Sequence, residues 1–365
     1  MTLNSGRHWA TVTPMSAKST RLGVAILLLV ATSTIPSYGQ AADASQLYVS
    51  ALDTYVKTGD VTTAVVPLIK WQPKDFDVAI DALIASGDAP RMRAAAVFHL
   101  EIGVALIGLS LGSAKLHLDM GEDLLGKLRR TYTSQQALKD HDAFRAIWLA
   151  VAGSTYLSVK DIVRASLWLR EAHNLAPDSA HVMTVYGILD EVDAQGYNPD
   201  DWQTLVQRER NQRERIIRLG RAERAYRAAL VIDPHYAIAS ARLGRILQLN
   251  GKLKEAREAL DRAAADAKGA FQEYVATLFL GAVQHEQKDV ESARRSFERA
   301  LSIVPTSQTA VVALAHLELM AGRPDRAQAL ARDFAAKSAS DTWWAYKDGI
   351  LDLTGLSWLR QRVRQ

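Results

Sequence analysis

A spacing of 34 residues recurs through the second half of the chain, each time between glycine or alanine positions. Gly153 and Gly187 are 34 apart, as are Ala222 and Ala256, Gly281 and Ala315, and Ala293 and Ala327. Such a period marks one supersecondary unit used again and again, each copy burying its apolar side against its neighbours. The spacing inside the unit is fixed too. Gly153, Ala165, Ala172 and Pro177 follow at 12, 7 and 5 residues, and Gly281, Ala293, Ala300 and Pro305 repeat the series. Partial copies run through Gly244, Ala256 and Ala263, through Ala222, Ala229 and Pro234, and through Ala315, Ala327 and Phe334.

This pattern suits paired helices. Alanine and leucine dominate and proline is scarce, with 10 in 365 residues, which favours helix over strand. Two antiparallel helices cross closely where side chains are small, so glycine or alanine recurs at the crossing. Large residues fill the remaining space: Leu243 and Leu280 precede the glycines, and Leu260 and Phe297 lie on the second helices. Proline closes a unit, and Asn250-Gly251-Lys252 and Gly322-Arg323-Pro324 read as turns within units. With these signature positions the stretch from Ala146 to Lys337 resembles the tetratricopeptide repeat family. The resemblance implies an all-α fold, a right-handed solenoid of antiparallel helix pairs, with a concave groove lined by the first helix of each pair. It also implies a protein that binds other proteins.

The array is interrupted. The unit beginning near Ala180 has its first helix, but Ala222 stands where residue 199 is due, so 23 residues are inserted. The insert, about 195–219, reads as a loop, Gln195-Gly196-Tyr197-Asn198-Pro199, and a charged helix from Asp200 onward, with the expected second helix at Arg221–Ile232. The interval from Gly244 to Gly281 is 37, three residues longer than the period, around Lys268-Gly269-Ala270. Residues 42–145 read as divergent helical repeats: Ser50–Lys57 and Val61–Trp71 about a Gly59-Asp60 turn, then Arg91–Ile107 and Ser113–Leu128. Residues 338–365 read as a helical cap, with Trp343, Trp344 and Tyr346 sealing the last repeat and a helix over Leu351–Val363.

Residues 1–41 have the order of a secretory signal peptide: a basic polar start, the apolar run Leu22–Ala31, Pro36, then small residues around Gly39 to Ala41. The run is short for spanning about 30 Å of hydrocarbon. This predicts an exported protein, periplasmic or extracellular. Of the formal net charge of +4, Arg7, Lys18 and Arg21 supply three and no acidic residue precedes Asp43, so the remainder carries +1. The chain has no cysteine, which excludes disulfides, thiolate metal sites and a cysteine nucleophile.

Chemistry-bearing patterns are weak. Gly108-Leu109-Ser110-Leu111-Gly112 matches the G-x-S-x-G elbow, but that device needs a strand before the serine, and here helical sequence flanks both sides. His99, Glu101, His117, Asp119 and Glu122 could converge in an acid–base or metal site if their helices pair, making an enzyme with a site in residues 44–145 the rival reading. Asp75, Asp77 and Asp81 follow Pro73 in the first turns of a helix, where carboxylates complement the helix dipole; they lack the glycine and spaced oxygens of a calcium loop.

No catalytic, metal or cofactor site is expected. Carried over from the resemblance, the groove-lining positions are Arg242, Arg245 and Gln248 in one unit, Phe279 and His285 in the next, and His316 after it. They would suit an extended peptide carrying carboxylates. The lysine and asparagines of the chaperone-type carboxylate clamp are not matched. Ala150 and Ser154 stand at the corresponding places of the unit starting at Ala146. In the insert, Arg210, Arg213, Arg221 and Arg224 can gather on one side of a helix as a patch for an anionic envelope component, polymer or lipid. Nucleic acid is not expected, since no aromatic residues interleave the arginines.

Overall fold

A computed structural model describes residues 41–196, 204–335 and 353–365. The leader, the stretch Tyr197–Asp200 of the insert, and Trp343, Trp344 and Tyr346 lie outside the described residues. Regular structure among the described residues is helical throughout, without a strand. The chain divides into two compact units, one up to Leu124 and one from Leu125 onward.

The first unit holds α1 (Ala41–Thr58), α2 (Val61–Val65), α3 (Pro73–Ser86), α4 (Ala89–Leu106) and most of α5 (Leu111–Arg129). Asp60 caps α2 by accepting from the Thr62 amide, and Pro67, which lacks an N–H, converts the expected longer helix into a 3₁₀ turn over Val66–Leu68. Asp75 accepts the Gln72 amide at 2.8 Å, completing a capping box at the start of α3. Asp77 and Asp81 are exposed. Residues 108–110 turn between α4 and α5, where the Ser110 hydroxyl meets that of Ser113 at 2.9 Å. A Cβ added at Gly103 would stand 2.6 Å from Leu118, so α4 and α5 meet through a glycine as the later pairs do.

The second unit is a solenoid of five antiparallel pairs: α6 (Gln135–Ser158) with α7 (Ile162–Leu175), α8 (Ala180–Ala194) with α9 (Leu205–Ile232), α10 (Ala237–Leu249) with α11 (Leu253–Ala265), α12 (Ala270–Glu286) with α13 (Val290–Ile303), and α14 (Gln308–Met320) with α15 (Pro324–Ala335). Four crossings use glycine against one large side chain. A Cβ at Gly153, Gly187, Gly244 or Gly281 would come within 2.5–2.7 Å of Leu169, Tyr226, Leu260 or Phe297 respectively. The turn inside a pair falls seven residues later, in the left-handed region at Gly251 and Gly322 (φ 72° and 69°) but also at Lys160 and Lys288 (φ 59° and 65°).

Two features differ from the sequence expectation. The charged insert is not separate from the second helix of its unit: α9 is one helix of 28 residues running through Gly220. Its extension is tied to α8 by Arg218, whose guanidinium reaches Asp193 at 2.9 Å and Asp190 at 3.5 Å. The C-terminal helix α16 (Leu353–Arg364) seats on α6 and α8, at the beginning of the array, whereas the sequence suggested a cap on the last repeat.

Candidate functional site

The first helices α6, α8, α10, α12 and α14 form one face of the second unit, and polar side chains bridge successive members of it. Between α8 and α10, the Glu191 carboxylate accepts from the Arg242 guanidinium at 2.9 Å and from the Tyr226 hydroxyl at 2.6 Å. Arg242 and Tyr226 are completely buried and Glu191 nearly so. Arg242 is therefore not an open groove residue, as its repeat position implied. It is held inside the helix layer by a counter-ion 51 residues earlier, and it supports the face from beneath.

Arg245 lies one turn further along α10 and is half-buried. Its guanidinium sits 5.1 Å from the centre of the Phe279 ring on α12 and donates to the Gln248 side-chain oxygen at 2.6 Å. Gln248 in turn donates to Glu286 at 2.5 Å. Among the described residues no carboxylate lies within ion-pair distance of Arg245. Further along, the rings of His285 on α12 and His316 on α14 meet edge to face at 5.4 Å. His316 is exposed, His285 half-buried, and the buried Nδ1 of His285 has no hydrogen-bond partner among the described residues.

Of the six residues placed in the groove from sequence, Arg245, His285 and His316 reach the surface of α10, α12 and α14, whereas Gln248 and Phe279 are buried beside Arg245 and, like Arg242, do not line an open groove. The sequence reading missed Glu191, Glu286 and Glu318. Glu318 on α14 is buried between Arg294 and Arg323, which hold its carboxyl down at about 2, Arg323 most strongly. A carboxylate inside an apolar first helix was the available signal for Glu191 and Glu318, since such a group needs a cation close by.

On α9, Arg210, Arg213, Arg221 and Arg224 are all exposed. With Val206 and Ile217, also exposed, they run at spacings of four, three, four, four and three residues along one side of the helix. Glu209 reaches Arg213 only at 4.0 Å and in the open, a contact of small energetic weight. Burial raises the Asp190 carboxyl of α8, against the opposing pull of Arg221 and Arg218.

In the first unit the residues of the enzymatic reading separate. His99 and His117 do converge, with their Nδ1 atoms 2.8 Å apart, and the other ring nitrogen of His99 meets the Tyr48 hydroxyl at 2.8 Å. Both imidazoles are buried, which pushes their proton affinities down, that of His117 to about 4. Glu101 instead accepts from Tyr55, and Asp119 faces solvent, paired with Lys115. A cleft of about 660 Å³ between α1 and α3 is lined by Asp53, Lys57, Asp88 and Arg91, among others, and not by either histidine. Among the described residues no group of three or more His, Asp or Glu side chains is placed to hold a metal ion.

Residues 284–344 match the sequence profile of the tetratricopeptide repeat. No curated protein matches the chain. Among solved structures, PilF of Pseudomonas aeruginosa is 17% identical, covering 62% of this chain and 92% of that one, with a TM-score of 0.45. A tetratricopeptide protein of Thermus thermophilus is also 17% identical, covering 60% and 97%, with a TM-score of 0.40. Yeast Tom70 is 11% identical over 94% of this chain and 70% of its own, at 0.42.

Proposed function

We propose that the chain is a non-catalytic, exported scaffold that docks a partner peptide along the first helices α10, α12 and α14. The observation that carries this is Arg245. Its guanidinium is held over an aromatic ring and oriented by an amide, yet no carboxylate of the described chain neutralises it. A guanidinium arranged this way loses little freedom when it takes up a carboxylate, so its binding free energy is retained rather than spent on ordering. His316 extends the same face with exposed ring surface, packed edge to face on the His285 ring. An extended segment with one acidic side chain or a terminal carboxylate, followed by an aromatic or polar residue, fits this order of groups.

The test is an array of extended peptides, each acidic member paired with its Asn, Gln or amidated counterpart. Acidic members are expected to be retained, and Arg245→Ala to weaken them about tenfold or more, since hydrogen bonds to charged groups contribute about 1.5–3 kcal/mol. Equal retention of acidic and neutral peptides would remove the reading.

A second reading rests on the exposed arginine stripe of α9, which suits an anionic component of the cell envelope. It predicts adsorption to an acidic polymer that weakens steeply between low and high salt and is lost in R210E/R213E/R221E/R224E. Adsorption that ignores both salt and charge reversal would eliminate it.

A further inference from the structure

The second helices of the pairs have outer sides of their own, and that of α9 mixes two kinds of residue. Asn211, Leu219, Ala222, Tyr226 and Ala229 are buried, so one side of α9 is packed. Turned away from these, the stripe from Val206 to Arg224 stays within a sector of about 80° at 3.6 residues per turn. Val231 continues it, so it runs for about 38 Å along the helix. Among the described residues no carboxylate lies within ion-pair distance of Arg210, Arg221 or Arg224. The aliphatic members stand well into solvent: Val206 is 78% exposed, Ile216 at the edge of the stripe 59%, Ile217 47% and Val231 83%. On α7, the second helix of the preceding pair, Val163 and Leu167 are exposed one turn apart, with exposed Arg170 three residues on. The outer sides of α11 and α13 differ. There exposed Glu255, Glu258 and Asp261, and Glu291 and Glu298, mix with lysine and arginine.

Single exposed aliphatics are ordinary, but here they alternate with arginines along one side of a helix. A dissolved acidic polymer offers charge and hydroxyl groups, and no apolar region for valine or isoleucine to enter. A bilayer surface offers both: phosphate headgroups for the guanidiniums and, just beneath, acyl chains for the aliphatic side chains. Arginine suits that depth, because its stem lies along the apolar layer while its guanidinium stays among the phosphates. We infer that the outer side of α9, joined by Val163 and Leu167 of α7, docks the second unit on the surface of an anionic lipid bilayer. The aliphatic residues enter between headgroups, and the arginines pair with lipid phosphates. This rests on the arginine-stripe reading and names its anion. It leaves the Arg245 face, on the first helices, open to its peptide.

The chain has no cysteine, so Ile217→Cys supplies a single site for an environment-sensitive nitrobenzoxadiazole label. Val312→Cys, exposed on the first helix α14, is the control. The full chain is mixed with vesicles of phosphatidylglycerol and phosphatidylcholine in equal parts, with vesicles of phosphatidylcholine alone, and with dextran sulfate as a soluble acidic polymer. The label at 217 is expected to brighten and shift to the blue with the mixed vesicles only, and the label at 312 to stay unchanged. In co-sedimentation, V206S/I217S/V231S should lose vesicle affinity by about tenfold or more, while keeping its cooperative melt and its binding to dextran sulfate. R210E/R213E/R221E/R224E should lose both ligands. The bilayer assignment is overturned if the label at 217 stays in water, if the serine variant sediments with vesicles as wild type does, or if it loses vesicles and polymer together. Polymer binding that persists in wild type then leaves the arginine-stripe reading standing. That reading falls, and the bilayer assignment with it, if charge reversal leaves binding to both unchanged or if wild type binds neither.

Discussion

At the residue scale, the repeat pattern locates a position without revealing what the side chain there meets. Arg242 and Arg245 both lie on the first helix of one unit, three residues apart, and their fates differ because Glu191 stands beneath one and Phe279 beside the other. Neither partner is near in sequence, so burial of the first and half-exposure of the second were not readable from spacing. The buried pair makes a sharp prediction. Arg242→Met leaves the Glu191 carboxylate buried with Tyr226 alone and should destabilise the chain by about 3–5 kcal/mol, whereas E191Q/R242M should recover much of the loss. Urea unfolding of the single and double variants checks this, and equal instability of the two would contradict it.

The histidine pair was legible as residues but not as a contact. His99 and His117 fall on different helices, and their meeting depends on the Gly103–Leu118 crossing. Their consequence is a pH dependence. Because burial lowers both proton affinities, the unfolded chain takes up protons before the native one as pH falls below about 6.5. Stability from this source is complete above that value and declines as pH drops towards about 4, where His117 protonates in the fold; His117 alone accounts for about 3 kcal/mol. The urea midpoint of the wild type should fall more between pH 7 and 4.5 than that of His117→Gln.

At the element scale the sequence was most informative, because each signature position answers to one steric demand. A glycine at a crossing admits one large side chain from the facing helix, and the four crossings of the second unit use Leu169, Tyr226, Leu260 and Phe297 in that role. Helix ends follow their caps, with Ser134, Asp161, Ser179, Asp289 and Ser307 each accepting a first-turn amide. The single α9 was not legible. Gly220 looks like a break, but Arg, Gln, Glu and Leu on either side favour helix, and the anchorage of Arg218 to Asp190 and Asp193 keeps the extension against α8. The turn seven residues after each crossing shows where the period is imperfect. Lys160 and Lys288 adopt the left-handed conformation that Gly251 and Gly322 adopt in sister units. Lys288→Gly should therefore stabilise the α12–α13 turn by roughly 1 kcal/mol, and Gly251→Lys should destabilise α10–α11 by a similar amount, both read from melting curves.

At the scale of the second unit, stability is distributed, because the pairs are linked in series. A large residue at Gly281 is driven into Phe297, 2.7 Å from the first added atom, and the α12–α13 crossing cannot close around it. Overpacking of this kind costs about 1–3 kcal/mol or more. In a globular core the loss would spread through shared contacts. Here α12 and α13 touch α10, α11 and α14, and the α6–α7 pair lies three pairs away. Gly281→Leu should accordingly accelerate amide exchange in α12 to α14 and leave α6 and α7 close to wild type, a gradient that falls with distance along the array. Uniform acceleration across all ten helices would mean that the array unfolds as one cooperative body. Exchange unchanged everywhere would mean that the crossing yields without loosening its neighbours. Because α16 seats on α6 and α8, its protection should follow those helices rather than α14 and α15, which lie nearer to it in sequence. The same exchange experiment therefore reports on both the serial coupling of the pairs and the place of the C-terminal helix.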